Sequence, residues 1–138
     1  MESRALHHAF LVRDLEATRR FYVDLLGCRE CRSTATWVDF ELFGNQLSAH
    51  LGTPPALAYV GRVDGIVVPL PHFGAIVSFD EYEQLAARLA AAGVEFIVSP
   101  RIRYAGEPGE QGTVFFLDPS GNALEFKAFR RADEVFAR

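Results

Sequence analysis

The sequence has no long hydrophobic run. No apolar stretch approaches the roughly 18 residues that a membrane-spanning helix needs. The N-terminus, MESRALHH, also lacks the positive charge followed by an apolar core that marks a secretory signal. We therefore expect a cytoplasmic protein with no membrane partner.

Positive charge is not in excess either. The chain carries 14 Lys and Arg residues against 18 Asp and Glu residues, which gives a formal net charge of -4 at pH 7. A nucleic-acid surface needs a basic patch. The charge balance therefore argues against a nucleic-acid partner.

Cysteine is scarce, with only Cys28 and Cys31, spaced C-x-x-C. A zinc ribbon needs a second such pair. A thioredoxin-like site needs its first cysteine at the N-terminus of a helix, whereas this pair follows a predicted helix. We interpret both residues as reduced thiols without a functional role.

The remaining composition is that of a soluble globular protein. Of its 138 residues, 49% are hydrophobic and 23% are charged. This length suits one domain, or two half-size modules that share a core.

The first half of the chain predicts a strand, a helix and a hairpin. An apolar strand over residues 5–12 leads to a helix that Asp14 caps and Gly27 ends. Strands over 36–43 and 46–51 then flank a Gly-Asn turn.

The second half begins with the same order of strand and helix. A strand over 72–79 leads to a helix that Asp80 caps and Gly93 ends. Three further strands follow over 94–98, 113–117 and 123–128. The sequence therefore predicts an α+β protein of two βαβββ modules. Each module leaves one sheet face open, and two open faces can enclose a central cavity.

We expect one domain over residues 1–138, and the ends of the two repeats give the boundaries of its parts. Its predicted parts are module one over 5–52, a proline-rich linker over 53–70, module two over 71–128 and a tail over 129–138 that holds a short helix. A long loop over 101–112 is predicted to close over the cavity as a lid.

The repeat separates the adjacent histidines His7 and His8. His72 precedes its predicted cap by eight residues and His7 precedes Asp14 by seven, so His7 is the better match to His72. Neighbouring residues of a strand face opposite sides of the sheet. We therefore predict that His7 faces the cavity and that His8 has a structural role.

The last strand of the repeat supplies a carboxylate. When Gly44-Asn45 is aligned with Gly121-Asn122, Ser48 falls on Glu125. Glu125 lies between large apolar residues, where an unpaired charge is costly. We therefore predict a divalent-metal site of His7, His72 and Glu125, with Fe, Mn, Zn, Ni or Co as candidate ions.

The chain resembles the vicinal oxygen chelate superfamily, which includes glyoxalase I, extradiol dioxygenases and bleomycin-resistance proteins. The resemblance covers residues 5 to 128 and is carried by HHAFLVRDLEATRRFYVDLLG, HFGAIVSF and FFLDPSGNALEF. It implies a glyoxalase/extradiol-dioxygenase-like fold around a central cavity, and it implies the same metal ligands, His7, His72 and Glu125.

The resemblance is incomplete at the fourth ligand position. Glyoxalase I-like members usually have a glutamate there, whereas this chain has Ser48, which cannot act as a base at neutral pH. His50 faces the same way two residues later. It is predicted to be a fourth ligand or an acid–base group; the alternative is an exposed residue at the end of the strand.

A second departure concerns a tyrosine. Extradiol dioxygenases usually carry one ten residues before the glutamate, where this chain has Phe115. Tyr104 in the long loop is predicted to replace it in the pocket; the alternative is a loop aromatic that packs on the core.

The resemblance implies a metal-dependent enzyme that binds a small substrate through vicinal oxygens, with dioxygenase-like or lyase/isomerase-like chemistry. The alternatives are a non-catalytic drug- or metabolite-binding protein of the bleomycin-resistance type, and a module that keeps only the scaffold. We expect a homodimer, since modules of such proteins pair within or between chains.

Overall fold

The computed structural model describes residues 4–138 and divides into two compact units. Unit 1 holds the described residues up to Ala56 together with Asp118–Asn122. Unit 2 holds Leu57–Leu117 and Ala123–Arg138.

Unit 1 contains one βαβββ module. Its elements are β1 (His7–Val12), α1 (Leu15–Arg19), β2 (Arg29–Ser33), β3 (Trp37–Leu42) and β4 (Asn45–Leu51). The helix continues as a π-helical turn over Arg20–Leu25, and Asp14 caps its start by accepting a hydrogen bond from the backbone of Ala17, as predicted. The strand order is β1-β4-β3-β2, with β1 parallel to β4.

The predicted linker contains a hairpin. Its strands are β5 (Ala58–Val63) and β6 (Ile66–Leu70), which pair antiparallel. Val63 and Val68 of this hairpin are buried with Val98 and Phe115 of the same unit. Edge strands tolerate the prolines of this stretch, and its repeated valines favour strand structure, so the predicted linker is itself built partly of strands.

Unit 2 contains the second βαβββ module. Its elements are β7 (Phe73–Ile76), α2 (Phe79–Ala91), β8 (Phe96–Arg103), β9 (Gln111–Leu117) and β10 (Ala123–Phe129), followed by a 3₁₀ turn at Ala132–Glu134. The strand order β7-β10-β9-β8, with β7 parallel to β10, repeats that of unit 1. The predicted α+β fold of two βαβββ modules is therefore confirmed.

Two boundaries in unit 2 differ from the prediction. The cap of α2 is Ser78, not Asp80, because Ser78 and Glu81 form a reciprocal capping box. The predicted loop over 101–112 is shorter, because the ladder between β8 and β9 still pairs Arg103 with Gln111.

The two modules share one strand register. Ala9 of β1 lies opposite Ser48 in unit 1, and Gly74 of β7 lies opposite Glu125 in unit 2. Counting two residues back along each first strand gives His7 and His72. The registers therefore agree with the predicted alignment of the halves.

Each helix covers one face of its own sheet. In unit 1 the buried ring of Tyr22 stacks on Phe40 with centroids 5.4 Å apart. In unit 2 the Tyr82 hydroxyl donates to the carbonyl oxygen of Thr113 at 2.8 Å. No helix among residues 4–138 combines the length and apolar character that crossing a bilayer requires.

Candidate functional site

His72 and Glu125 form the centre of the candidate site. His72 immediately precedes β7, and Glu125 lies in the adjacent strand β10. The Nε2 atom of His72 is 3.3 Å from Oε1 of Glu125, and the two side chains are 21% and 10% exposed. Two of the three predicted metal ligands are thus brought together within unit 2.

Gly74 allows this close approach. A Cβ atom at Gly74 would lie 1.7 Å from the carbonyl oxygen of Glu125, so no other residue fits there without displacing the strand. The glycine therefore lets β7 pack tightly beside β10 and holds His72 near Glu125.

The two partners of Glu125 fix its carboxylate. Thr113 of β9 donates its hydroxyl to Oε2 of Glu125 at 2.6 Å, while Oε1 faces His72. The ring of Phe115 meets His72 edge-on, with centroids 4.9 Å apart. The site is therefore rigid on the Glu125 side and apolar beneath the imidazole.

These contacts shift the pKa values of both groups. The hydrogen bond to Glu125 raises the pKa of His72 above its ordinary value, against the opposing effect of burial. Burial alone would raise the pKa of Glu125, but the hydrogen bonds from His72 and Thr113, together with the charges of Lys127 and His72, lower it below its ordinary value. Without a bound ion, the pair therefore favours an imidazolium beside a carboxylate.

The carbonyl of Pro69 determines which nitrogen of His72 faces the carboxylate. It lies 2.8 Å from Nδ1, and because a carbonyl only accepts, Nδ1 carries a hydrogen. A neutral ring would then direct the lone pair of Nε2 at the oxygen of Glu125. This arrangement requires either a second proton on His72 or a cation bound by both groups.

The pair fits a divalent cation. Imidazole nitrogen and carboxylate oxygen are ligands of the first-row transition ions. Two ligand atoms about 2.1 Å from one such ion are roughly 3.0–3.4 Å apart. The observed separation of 3.3 Å lies within that range.

His7 presents the same nitrogen as His72. It is exposed on β1, and its Nδ1 atom is 2.7 Å from Oε1 of Gln46, to which it donates. Its Nε2 is therefore the nitrogen with a free lone pair. His7 belongs to unit 1, and no group of three or more His, Cys, Asp or Glu side chains that could hold an ion is gathered within residues 4–138.

His8 lies on the opposite, helix-covered face of β1. Its ring stacks on Phe10 at 5.5 Å, and the ring of Phe10 packs against Tyr22. Burial, followed by the charge of His7, lowers the pKa of His8. These contacts agree with the predicted structural role.

His50 belongs to a polar row on unit 1. The row consists of Asp39, Ser48 and His50: Ser48 donates to Oδ1 of the buried Asp39 at 2.6 Å, and its oxygen is 3.1 Å from Nε2 of His50. The ring of Trp37 lies 6.3 Å from that of His50. The sequence left the register of this hairpin open, and the pairing of Asp39 with Ser48 now places the row on the same face as His7.

Tyr104 lies at the end of β8, where the chain enters the shortened loop. It is 48% exposed, has a φ of 57°, and accepts a hydrogen bond from Arg103 at 3.0 Å. It lines a pocket of about 490 Å³ with Gln111, Phe129 and Glu134. Among the described contacts, none joins Tyr104 to His72 or Glu125.

Sequence reasoning missed three groups that hold the candidate ligands: Thr113, Gln46 and the carbonyl of Pro69. Thr113 could have been found, because strand alternation from Phe115 places it on the Glu125 face. Gln46 depends on the pairing of β1 with β4, and the carbonyl of Pro69 depends on a turn three residues before His72. The alternation pattern of a single strand contains neither signal.

Comparison with known proteins agrees with this architecture. A family model described as the Glyoxalase/Bleomycin resistance protein/Dioxygenase superfamily matches residues 4–126. A glyoxalase/bleomycin resistance protein/dioxygenase structure from Alicyclobacillus acidocaldarius is 28% identical, with a TM-score of 0.78, and the match covers 99% of this chain and 100% of that chain.

Two fosfomycin resistance proteins have the same fold. FosX from Listeria monocytogenes, complexed with Mn(II) and a sulfate ion, is 23% identical with a TM-score of 0.64, and the match covers 93% of this chain and 91% of that one. FosX from Mesorhizobium loti is 20% identical with a TM-score of 0.63 and 93% coverage of both chains. No match was found among curated proteins.

Proposed function

The chain belongs to the glyoxalase/bleomycin resistance protein/dioxygenase superfamily, and we propose that it is a divalent-metal-dependent enzyme of the vicinal oxygen chelate type. The observation that carries this proposal is the pair of His72 and Glu125, whose facing atoms need a shared proton or a shared cation. Its substrate would be a small molecule with two neighbouring oxygens, and its reaction dioxygenase-like or lyase/isomerase-like.

We assign His7, His72 and Glu125 as the ligands. Both histidines donate from Nδ1 to a carbonyl-type oxygen, which is the arrangement that orients metal-binding imidazoles. The hydroxyl of Thr113 does the same for the carboxylate. The Mn(II) complex of the Listeria FosX supports a divalent cation in this superfamily.

A bound cation would supply Lewis acidity to the two neighbouring oxygens of the substrate. Three protein ligands leave open positions for those oxygens. Within the chain, Thr113 and Pro69 hold the ligands in place, and the ring of Phe115 excludes water from one side of His72.

His50 is the proposed acid–base group, and its hydrogen bond with Ser48 determines which of its ring nitrogens would accept a proton. The single hydroxyl proton of Ser48 points to Asp39, the shorter and charge-assisted contact. Ser48 must then accept from Nε2 of His50. The lone pair that accepts a proton from substrate is therefore on Nδ1 of His50.

Tyr104 is the proposed second polar contact to substrate. Its φ of 57° is unusual for a residue other than glycine, and such strain is concentrated at functional positions. Its pocket adjoins Gln111, which shares the strand β9 with Thr113.

Metal content tests the proposal. Wild type, H72A and H8A would be purified, incubated with Fe(II), Mn(II), Zn(II), Ni(II) or Co(II), desalted and subjected to elemental analysis. We expect one equivalent of ion in wild type and in H8A, and its loss in H72A. H8A is the matched control because His8 lies on the helix-covered face. A wild type that retains none of the ions would overturn the assignment and favour the non-catalytic binding protein.

A further inference from the structure

Lys127 is the only lysine of the chain; the other 13 of its 14 basic Lys and Arg residues are arginines. It follows Glu125 by two residues in β10, so both side chains emerge on the same face of the sheet. The two residues line one pocket of about 280 Å³ together with His72 and Gly74. The single ammonium group is therefore placed beside the proposed ligands.

This ammonium group forms no close ion pair with a carboxylate of the residues that the structure describes. Lys127 is half-buried, and its charge lowers the pKa of both Glu125 and His72, although no hydrogen bond or close ion pair joins its ammonium group to another of the residues 4–138. Glu125, the nearest acidic residue on its own strand, is already occupied by His72 and Thr113. Because Glu125 is held by these two partners, a bound anion would give the half-buried ammonium group a direct counter-ion.

Further positive charge lies along the same sheet face. Arg101 is paired in register with Thr113, which is itself paired with Lys127, so the three form one row across the sheet. Arg103 occupies the next row, and both arginines share the carboxylate of Asp64 at 3.2 and 3.3 Å. Two guanidinium groups on one carboxylate leave an excess of positive charge in a chain whose net charge is -4.

The repeat assigns a second basic residue to the same position. Ser48 corresponds to Glu125, so His50 of β4 corresponds to Lys127 of β10. Trp37 lies opposite His50, as Thr113 lies opposite Lys127. Each module therefore carries a side-chain nitrogen group two residues beyond the position shared by Ser48 and Glu125: an imidazole in unit 1 and an ammonium group in unit 2.

We propose that Lys127 binds the negatively charged group of the substrate, and that the substrate is a small oxyanion such as an α-hydroxy carboxylate. This inference rests on the proposed function for the position of the vicinal oxygens. In an α-hydroxy carboxylate, the hydroxyl oxygen and a carboxylate oxygen are the neighbouring oxygens that would bind the ion. The negative charge of the carboxylate would pair with the ammonium group of Lys127. A neutral molecule with the same oxygens would leave Lys127 unpaired.

Because the chain has a single lysine, its ammonium group can be observed directly. Reductive methylation with ¹³C-formaldehyde keeps the positive charge and gives one lysine signal beside that of the α-amino group. The signal of Lys127 would be followed by NMR while glycolate is added, and separately while hydroxyacetone is added. The two probes carry neighbouring oxygens but only glycolate is charged, and sodium chloride would keep the ionic strength constant.

We expect glycolate to shift the Lys127 signal saturably in the metal-free protein and hydroxyacetone not to shift it. Loading with Zn(II), a diamagnetic ion, should tighten the glycolate response. In zinc-loaded K127Q, glycolate binding measured by calorimetry should fall by about tenfold or more, which is the value of one charge-assisted contact. R62Q is the matched control, since Arg62 is an exposed cation of the same unit on the β5–β6 hairpin.

The outcomes separate the two proposals. A glycolate response at Lys127 in a protein that binds no Zn(II) supports the anion site and overturns the metal assignment. A protein that binds Zn(II) but shows no saturable response to glycolate, or an equal response to hydroxyacetone, overturns the anion site and leaves the metal assignment in place. Equal losses in K127Q and R62Q would also overturn it, because they would indicate a general charge effect.

Discussion

At the residue scale, hydrogen-bond partners decide what each polar side chain of the site can do. Pro69 and Gln46 accept hydrogen bonds from Nδ1 of His72 and His7, respectively. The Nε2 atom of each ring is therefore the nitrogen that could bind a cation. Ser48, which lies in the position of Glu125, instead connects Asp39 to His50. The same place in the repeat thus holds a proposed ligand in one module and a link between two side chains in the other.

Thr113 provides a test of how the carboxylate is held. T113V keeps the shape of the side chain but removes the 2.6 Å hydrogen bond to Glu125. Removal of an outer partner of a ligand typically costs 10–100-fold in ion affinity, so we expect Zn(II) binding measured by calorimetry to weaken by about that factor.

T18V is the matched control for this prediction. Thr18 is also fully buried, and its hydroxyl donates to the backbone oxygen of Asp14, outside the site. It should lower the free energy of unfolding by about 1 kcal/mol and leave Zn(II) affinity unchanged. Equal Zn(II) affinities of T113V and wild type would contradict a holding role for Thr113.

The two cysteines are expected to differ in reactivity. Burial, followed by the charge of Glu41, raises the pKa of Cys28 to about 12, whereas Cys31 is exposed. Because the thiolate is the reactive form, iodoacetamide at pH 8.5 should label one thiol in the native protein and two after unfolding. The raised pKa also keeps Cys28 protonated at pH 10, so the native stoichiometry should not change there. Mass spectrometry that finds two labels on the folded protein would contradict this environment.

At the scale of elements, the pairing of β7 with β10 positions the site. These are the first and last strands of the module, and they meet in parallel at the edge of the sheet. Their contact places His72, which lies at the entry of β7, beside Glu125. Unit 1 pairs β1 with β4 in the same way, so the strand registers of the two modules correspond as the repeat predicted.

Gly74 tests this pairing. In G74A the added Cβ atom would lie 1.7 Å from the carbonyl oxygen of Glu125, so β7 must move away. We expect a loss of about 2–4 kcal/mol in the free energy of unfolding, measured with urea, together with loss of Zn(II) binding.

G44A separates the two effects. Gly44 has a φ of 83° and no neighbouring atom within 4 Å of an added Cβ, so the substitution strains the backbone without displacing a strand. G44A should lower the free energy of unfolding by about 1–2 kcal/mol and retain Zn(II) binding. If G74A also retained full Zn(II) binding, the pairing of β7 with β10 would not be what positions the ligands.

At the scale of the whole molecule, exposed apolar side chains favour association. Tyr59, Val60 and Leu70 of the β5–β6 hairpin are 51%, 70% and 41% exposed. Apolar residues on an exposed two-stranded hairpin are typical of surfaces that bind another chain. We therefore expect sedimentation equilibrium to give the mass of two 15.3 kDa chains, and a single-chain mass at all concentrations would contradict the predicted homodimer.

Mixing two variants tests whether the ligands of one site come from one chain or from two. H7A and H72A should each lose Zn(II) when measured alone. If one site takes ligands from two copies, a mixture of the variants regains one complete site in each mixed dimer. If each site lies within one chain, the mixture binds no more Zn(II) than its components.

The sequence by itself determined the repeat and its consequences. The order of elements, the cap at Asp14, the equivalence of His7 with His72 and the facing of His7 and His8 all follow from local patterns of period two and from turn residues. Such signals are contained within a few neighbouring residues. They suffice to predict which side chains share a face.

Only the tertiary structure decided how those faces are filled. The β5–β6 hairpin, the cap at Ser78, the Thr113 bond to Glu125 and the Asp39–Ser48–His50 row depend on strand pairing or on competition between nearby hydrogen-bond donors. A shift of one residue in register would reverse every side chain of a strand, and no single strand encodes its partner's register. The chemistry of the site therefore depends on contacts between residues far apart in the chain.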